Sequence, residues 1–194
     1  MKIAGLILAG GAGRRLGGVD KALLRLHHLP MLAHVMKRLA PQVDALALSA
    51  QGDPARFAGF GLPVLDDGGH RGKGPLAGLA AGLAWAAGAG MDALLTLPVD
   101  TPFIPADLVR RLGRAPAVAC HQGRVHHLVA LWPADAGAAL GAFLERDGPC
   151  RVADFARALG MRPVEFPDQP DPFHNVNTPA DLDAAEARLK HPSP

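Results

Sequence analysis

The amino terminus combines glycines and cations in a pattern that suits phosphate binding. A short apolar run at residues 3–8 leads into five glycines, two arginines and a lysine: Gly10, Gly11, Gly13, Arg14, Arg15, Gly17, Gly18 and Lys21. Glycine tolerates positive φ and lets backbone N–H groups approach a ligand closely. Inward-facing N–H groups beside arginine and lysine side chains can bind several phosphate oxygens at once. The loop is therefore a candidate phosphate-binding cradle.

The spacing of these residues matches neither of the two common phosphate-binding motifs. Counting G-x-G-x-x-G from Gly11 and Gly13 places Leu16 at the third glycine. The pattern G-x-x-x-x-G-K-[ST] fails as well, because Val19 follows Gly18. A glycine-rich turn after a strand is also compatible with a purely structural turn. The three nearby cations favour the phosphate interpretation.

Other polar residues follow apolar runs that are typical of buried strands. Ser49 and Gln51 stand at the end of one run, Asp66 and Asp67 follow a second, and Asp100 follows a third. An aspartate between prolines, as here, can also be a turn former or a helix cap. In open α/β sheets, however, ligands bind at the carboxyl ends of strands, near the point where the strand order reverses. We therefore expect these side chains and the glycine loop to converge on one crevice.

Strand-like and helix-like segments alternate along the chain, which predicts an α/β fold with a mostly parallel sheet and helices on both faces. Predicted strands cover residues 3–8, 43–50, 62–65, 93–97, 115–120, 125–132 and 163–166. Predicted helices cover residues 32–39, 75–87, 105–112, 134–144, 152–159 and 178–189. Thr178 is a natural N-cap for the last helix, followed by Pro179 and by Asp181 in a variant of the capping box. No repeat or linker interrupts the pattern, so one domain is expected over residues 1–194.

The composition argues against several classes of protein. The 194 residues are 49% hydrophobic and 20% charged, with a formal net charge of +2. This balance is globular and provides no basic field for nucleic acid, and the absence of tyrosine argues against a stacking surface for single strands. No apolar stretch is long enough to span a bilayer. The amino-terminal apolar run leads into glycines and arginines rather than a signal-peptide cleavage site.

The cysteines and histidines form no recognisable metal site. Cys120 and Cys150 have neither the number of a disulfide framework nor a metal-binding spacing, which favours reduced thiols in a cytoplasmic protein. Six histidines fit no zinc pattern and are interpreted as surface or core residues: His27, His28, His70, His121, His126 and His127. We expect a cytoplasmic protein that binds neither nucleic acid nor membrane.

Four motifs together resemble the molybdenum cofactor guanylyltransferases. The first runs from Leu8 to Lys21 and includes Ala9, the doubled glycine at 10–11, Arg15 and Asp20. The others are Gly-Pro-Leu-Ala-Gly at residues 74–78, Pro-Val-Asp-Thr-Pro at 98–102 and Asn-Val-Asn-Thr-Pro-Ala-Asp-Leu at 175–182. They occur in order over nearly the whole chain, and the doubled glycine and the Asn-x-Asn-Thr-Pro pattern are the more specific.

This resemblance implies a three-layer Rossmann-like nucleotidyltransferase fold and a magnesium-dependent enzyme. The enzyme would transfer GMP from GTP to the terminal phosphate of molybdopterin and release pyrophosphate. By the match to the family's motifs, Arg15, Lys21 and Asp100 are the catalytic residues. Arg15 and Lys21 would offset charge on the phosphates, and Asp100 would hold Mg²⁺ beside the α-phosphate, since Mg²⁺ prefers oxygen ligands.

The resemblance also divides the remaining candidates between the two substrates. The implied GTP-binding residues are Leu8, Ala9, Gly10, Gly11, Lys21, Ser49, Asp67, Gly78 and Asp100. Ser49 departs from the family pattern, where relatives carry asparagine, and Gly78 is expected to leave room for the base. The implied molybdopterin-binding residues are Arg151, Asn175 and Asn177, of which Asn177 is also a candidate metal ligand. Transient contact with molybdoenzymes or their chaperones would follow from delivery of the product.

Three alternatives remain at this point. A cytidylyltransferase acting on the same pterin is the nearest, although the glycine pair at 10–11 favours guanine. A sugar-phosphate nucleotidyltransferase would share the cradle but would not explain the Asn-x-Asn-Thr-Pro pattern. A non-catalytic molybdenum cofactor carrier would not need Arg15, Lys21 and Asp100 together.

Overall fold

The computed structural model describes residues 1–10, 12–13, 19–66, 68–70, 72–146 and 148–190. The main strands and short hairpin strands are β1 Ile3–Leu8, β2 Ala12–Gly13, β3 Val19–Asp20, β4 Arg25–Leu26, β5 Leu29–Pro30, β6 Ala45–Ser49, β7 Val64–Leu65, β8 Ala93–Pro98, β9 Ala117–His121, β10 Arg124–Pro133 and β11 Arg162–Glu165. The α-helices are α1 Met31–Leu39, α2 Pro75–Gly88, α3 Leu108–Leu112, α4 Gly137–Leu144, α5 Val152–Ala158 and α6 Pro179–Lys190.

A seven-stranded sheet in the order β11-β9-β10-β8-β1-β6-β7 forms the centre of the fold. Strand β1 pairs in parallel with β6 on one side and with β8 on the other, and β10 is antiparallel to both of its neighbours. The chain runs outward from β1 to β6 and β7, then returns through α2 to β8 on the opposite side of β1. The strand order therefore reverses at β1, which is where open α/β sheets bind ligands.

Helices cover both faces of this sheet, and the alternation of side chains along β1 shows how. Ile3 and Ile7 pack in one cluster with side chains of α1 and α3, whereas Ala4, Leu6 and Leu8 pack in a second cluster with α2, α4 and α5. All six residues of β1 are buried, as expected for a parallel strand covered on both faces. The three-layer α/β fold expected from the sequence is confirmed.

The strands and helices expected from periodicity are present, with small shifts of their bounds. The helix expected at 105–112 is shorter, because α3 begins only at Leu108, and the one expected at 134–144 begins as a 3-10 turn over Ala134–Ala136. The hairpins β2–β3 and β4–β5 and the 3-10 helix Pro54–Phe60 were not expected. The two-residue hairpin strands contain too few residues to produce a periodic pattern, and the 3-10 helix buries only Phe57, so it has no apolar stripe.

The expected capping box at the start of α6 is present. The Thr178 hydroxyl accepts from the Asp181 N–H at 3.2 Å, and the Asp181 carboxylate accepts from the Thr178 N–H at 2.8 Å. The same carboxylate also accepts from the Asn177 N–H at 2.9 Å. These backbone hydrogen bonds, that of Asn177 first, hold the pKa of Asp181 below its usual range. The segment before α6 is thereby anchored to the helix.

Within the described ranges, the helices are too short or too polar to cross a bilayer.

A buried hydrogen bond between two strands gives a test of core stability. The Trp132 indole N–H donates to the Thr96 hydroxyl at 2.8 Å, and both side chains are buried. Thr96→Val should lower the free energy of unfolding by about 1–3 kcal/mol, because the indole N–H loses its acceptor without gaining water. Denaturant unfolding measures this change, and Thr96→Ser, which keeps the hydroxyl, is the control. Equal stability of Thr96→Val and the parent protein would contradict the prediction.

Candidate active site

Three neighbouring strand ends form the floor of a crevice of about 200 Å³. Leu8 is the register partner of Ser49 in β6 and of Pro98 in β8, and all three residues line the crevice. The remaining lining residues are Ala9, Gly10, Lys21, Gln51, Gly74, Pro75, Gly78, Val99, Asp100, Leu128 and Asn175. The crevice therefore lies at the reversal of strand order and gathers most of the residues expected to bind the nucleotide.

Asp100 is the centre of a polar network inside this crevice. One carboxylate oxygen accepts from Lys21 Nζ at 3.0 Å, and the other accepts from the Asn175 side-chain amide at 2.7 Å. Lys21 Nζ also donates to the amide oxygen of Asn177. The Lys21 and Asp100 side chains are only 15% and 14% exposed, so their charges interact in a medium of reduced dielectric constant.

The crossing segment, residues 173–177, brings Asn175 to Asp100 and Asn177 to Lys21. Its side chains alternate: Asn175 and Asn177 contact the polar network, whereas Val176 is buried in a cluster with Leu26, Met31 and Phe103. The Val176 N–H donates to the Asp100 carbonyl at 2.9 Å, which fixes the register of the segment on the turn after β8. Backbone pairing and apolar packing therefore hold the two amides in place.

Lys21 lies in a compact turn that follows β3. The Asp20 carbonyl accepts from the N–H groups of Leu23 and Leu24, each at 3.0 Å, and its carboxylate accepts from the Ala22 N–H at 3.0 Å. The turn is joined to α1, since the Leu32 N–H donates to the Ala22 carbonyl at 3.0 Å. This frame directs the long Lys21 side chain towards Asp100.

Gly78 is needed for close packing of α2 on the strand ends. A Cβ atom at this position would lie 2.4 Å from Ser49 Oγ and 3.0 Å from Leu8 Cδ2. Glycine was expected here to leave room for the base. The structure gives a second reason, because a side chain at position 78 would clash with Ser49 and Leu8. Gly10 differs, because no described atom outside its chain neighbours lies within 4 Å of a Cβ built there.

The amino terminus of α2 also faces the crevice. Gly74 adopts φ 60°, which a residue with a side chain rarely tolerates, and Pro75 occupies the first turn of the 14-residue helix. The N-terminal end of an α-helix carries partial positive charge from its unpaired N–H groups. Together with Lys21, it makes this wall of the crevice favourable for an anionic ligand.

Several predicted residues are not part of the network seen here. Arg15, Gly11 and Asp67 lie outside the described residues, so their roles stay predictions. Arg151 is exposed at the N-cap of α5 and does not line the crevice, and its role towards molybdopterin also stays a prediction. Asn177 reaches the crevice through its contact with Lys21.

Leu128 is a lining residue that sequence reasoning missed. In β10, Ala130 pairs with Thr96, two residues before β8 ends at Pro98. In the same antiparallel register Leu128 lies opposite Pro98, and residues 124–127 extend beyond the end of β8. A bulge between His126 and Ala130 changes the register there. Nothing in the local sequence indicates how far β10 projects past its neighbour.

Two histidine nitrogens close to this overhang have no hydrogen-bond partner among the described residues, His126 Nε2 and His127 Nδ1. His126 is 8% exposed and packs on the Phe173 ring with 5.0 Å between centroids. Burial lowers the pKa of His126, opposed by the nearby Asp171 carboxylate. The buried imidazole is therefore neutral at neutral pH.

This neutral histidine predicts a loss of stability in acid. The unfolded chain protonates His126 near its ordinary pKa of about 6.5, whereas the folded chain resists protonation until lower pH. Stability should therefore fall as the pH decreases below about 6.5, because the unfolded state binds more protons. The free energy of unfolding, measured in urea, should differ less between pH 7.5 and pH 5.5 for His126→Leu than for the parent protein. His28→Gln, at an exposed histidine, is the control. If His126→Leu lost as much stability between pH 7.5 and pH 5.5 as the parent protein, His126 would not be the cause of the acid sensitivity.

Comparison with known proteins shows to which protein family this chain belongs. Residues 5–160 match the family model of the MobA-like NTP transferase domain, so the chain belongs to this family of nucleotidyltransferases. Within that class, its relatives include the molybdenum cofactor guanylyltransferase of Acidiphilium cryptum, 66% identical over 182 residues that cover 94% of this chain and 93% of the relative. The molybdenum cofactor guanylyltransferase of Cereibacter sphaeroides is 52% identical over 194 residues, covering 98% of both chains. The resemblance stated from the motifs is confirmed.

Solved structures agree with the fold. The molybdopterin-guanine dinucleotide biosynthesis protein A of Archaeoglobus fulgidus superposes with a TM-score of 0.71 at 22% identity, covering 98% of this chain and 99% of that chain. The shared fold extends beyond residue 160, where the family model ends, and includes the part of the chain that carries the crossing segment.

Proposed function

We propose that this protein transfers GMP from GTP to the terminal phosphate of molybdopterin, releasing pyrophosphate and forming the guanine dinucleotide cofactor. The observation that carries the proposal is the network of Lys21, Asp100 and Asn177 in a crevice at the reversal of strand order. The names of the close relatives support the choice of substrates.

The reaction requires positioning and charge neutralisation more than a protein nucleophile. An oxygen of the acceptor phosphate attacks the α-phosphorus of GTP, and the bond from that phosphorus to the bridging oxygen breaks, so that the electron pair leaves with pyrophosphate. Lys21 would bind the triphosphate and offset the negative charge that accumulates on the leaving group. Cys120 is buried in β9, and neither it nor Cys150 lines the crevice. We therefore propose direct in-line transfer.

The residues around Lys21 suit magnesium. A carboxylate oxygen of Asp100 and the amide oxygen of Asn177 both accept a hydrogen bond from the Lys21 ammonium group. Two oxygen atoms therefore already lie close to one cation. Mg²⁺ prefers oxygen ligands and is often held by one or two carboxylates together with substrate phosphates. Among the described residues no cluster of three acidic, histidine or cysteine side chains is present, so Asp100 would be the principal protein ligand. The ion would polarise the α-phosphate when bound.

The two substrates would occupy different parts of the crevice. The triphosphate would approach the backbone at residues 8–10 and the amino terminus of α2, both of which line the crevice. Ser49 and Gly78 would border the nucleoside. Asn175 and Asn177 approach the site from the crossing segment and would face the pterin phosphate, with Arg151 as a further candidate. We also propose that the product is delivered to molybdoenzymes and that the protein is located in the cytoplasm.

The test is pyrophosphate release by the protein with molybdopterin and Mg²⁺, comparing GTP, CTP and ATP, with a blank that lacks molybdopterin. We expect release with GTP alone and only in the presence of the acceptor. A preference for CTP would overturn the choice of base but leave the metal site intact. Binding of GTP without release from any nucleotide would indicate a carrier. A covalent nucleotidyl-protein adduct that forms and breaks down as fast as the enzyme turns over would exclude direct transfer.

A further inference from the structure

Arg56 makes an unusual set of contacts beside the crevice without lining it. Its guanidinium donates through Nε to the Asp20 carboxylate at 2.9 Å and through Nη1 to the Asp53 carbonyl at 3.0 Å. The remaining nitrogen, Nη2, donates to the Gln51 carbonyl. All three nitrogens of one side chain are therefore used to join two separate loops.

The two loops have different tasks in the proposed reaction. Asp20 begins the turn that carries Lys21, and its second carboxylate oxygen accepts from the Ala22 N–H within that turn. Gln51 follows β6, lines the crevice and lies two residues after Ser49. Arg56 thus connects the loop that presents the cation to the loop on the nucleoside side.

The backbone beside Arg56 is shaped around its guanidinium. Gly52 has φ +82°, and a Cβ atom there would lie 2.8 Å from Arg56 Nη1. The Asp53 carboxylate caps the following 3-10 helix by accepting from the Ala55 N–H at 2.9 Å, which sets the position from which Arg56 reaches back. The left-handed turn at Gly52 lets the carbonyls of Gln51 and Asp53 face the same side chain.

We propose that Arg56 is a positioning residue that holds the Lys21 turn against the loop after β6, so that Lys21 and the nucleoside side of the crevice are presented together to GTP. The proposal rests on the proposed role of Lys21 in binding the triphosphate. Arginine is required because its planar fork reaches a carboxylate and two carbonyls at once, whereas the ammonium of lysine is a single point charge.

An ordinary surface ion pair is the competing explanation, and it predicts something different. The Arg56 and Asp20 side chains are 31% and 27% exposed, and exposed ion pairs contribute little to stability. A pair of that kind could be removed without effect on ligand binding. A positioning residue, by contrast, changes binding through Lys21, and its effect disappears when Lys21 is absent.

The experiment is a double-mutant cycle on GTP affinity, with Arg56→Met, Lys21→Met, the double variant and the parent protein. Binding of a fluorescent GTP analogue in the presence of Mg²⁺ needs no acceptor and no turnover. We expect Arg56→Met to weaken binding about tenfold in the parent, which is within the coupling expected for residues of one network. In the Lys21→Met background the same substitution should change affinity less than about twofold. Arg56→Lys should recover only part of the loss.

Controls separate this role from damage to the fold and from failure of the proposed function. Arg110→Met removes another surface arginine with an acidic partner, Asp107, and should leave affinity and the thermal midpoint unchanged. Equal losses from Arg56→Met in both backgrounds, or a loss matched by a lower thermal midpoint, would overturn the positioning role alone. Unchanged affinity in Lys21→Met would instead refute the role of Lys21, and the Arg56 proposal with it.

Discussion

Asp100→Ala should reduce the rate of pyrophosphate release by about a thousandfold, at the upper end of what loss of one preorganised electrostatic group costs. The substitution removes the carboxylate that accepts from both Lys21 and Asn175. It also removes the proposed principal ligand of Mg²⁺, and it leaves the Lys21 ammonium in a poorly exposed site without its counter-charge. The initial rate at saturating GTP, molybdopterin and Mg²⁺ is the measurement.

Two further variants make the Asp100 result specific. Asp100→Asn keeps the size of the side chain and removes its charge, so it should lose nearly as much activity as alanine. Asp135→Ala removes an exposed carboxylate just after β10 and should retain full activity. Asp135 lies far from the crevice, because Pro133, the last residue of β10, pairs with Ala93 at the start of β8, whereas the crevice lies at the end of β8. Activity of Asp100→Asn within tenfold of the parent would show that the charge of Asp100 is not needed.

Lys21→Met should lower kcat/KM for GTP by about a hundredfold, because one charge that offsets the developing negative charge is lost. The Asp100 carboxylate would then lack its ammonium partner and would repel the triphosphate. Lys21→Arg should recover little of this loss, since a guanidinium cannot take the place of a compact ammonium between two oxygens. Steady-state rates at varied GTP concentration give the ratio.

The matched control for Lys21 is Lys37→Met, which removes an exposed lysine from the last turn of α1. It should leave kcat/KM unchanged within about twofold, because the effect of an exposed charge is screened by salt over a Debye length of about 8–10 Å. If Lys21→Met were as active as Lys37→Met, the ammonium of Lys21 would have no role in binding or transfer.

Much of the site could be predicted from local pattern because the residues follow buried strands. The carboxyl ends of neighbouring parallel strands lie side by side, so the glycine loop, Ser49 and Asp100 could be assigned to one crevice before any contact was known. Lys21 could be assigned to it from the motif. The buried strands themselves were visible as apolar runs, and the α6 cap as a pattern of residue types.

The contacts within the network could not be predicted, because they join residues distant in the chain. Lys21 and Asp100 are 79 positions apart, and Lys21 and Asn177 are 156 apart. Their meeting depends on the packing of Val176 and on the path of the crossing segment, neither of which has a periodic signature. Arg56 escaped notice because its 3-10 helix buries only Phe57 and has no apolar stripe that would reveal it.

The crossing segment also determines when the site can first exist. Lys21 precedes Asn177 by 156 residues, a stretch that a ribosome adds in roughly 8–30 s at 5–20 residues per second. Until residues 173–177 have been synthesised and packed, Lys21 and Asp100 lack their amide partners. An unfinished or prematurely terminated chain would carry most of the residues that line the crevice without the complete network. The polar network is therefore complete only after this late segment has been made and packed.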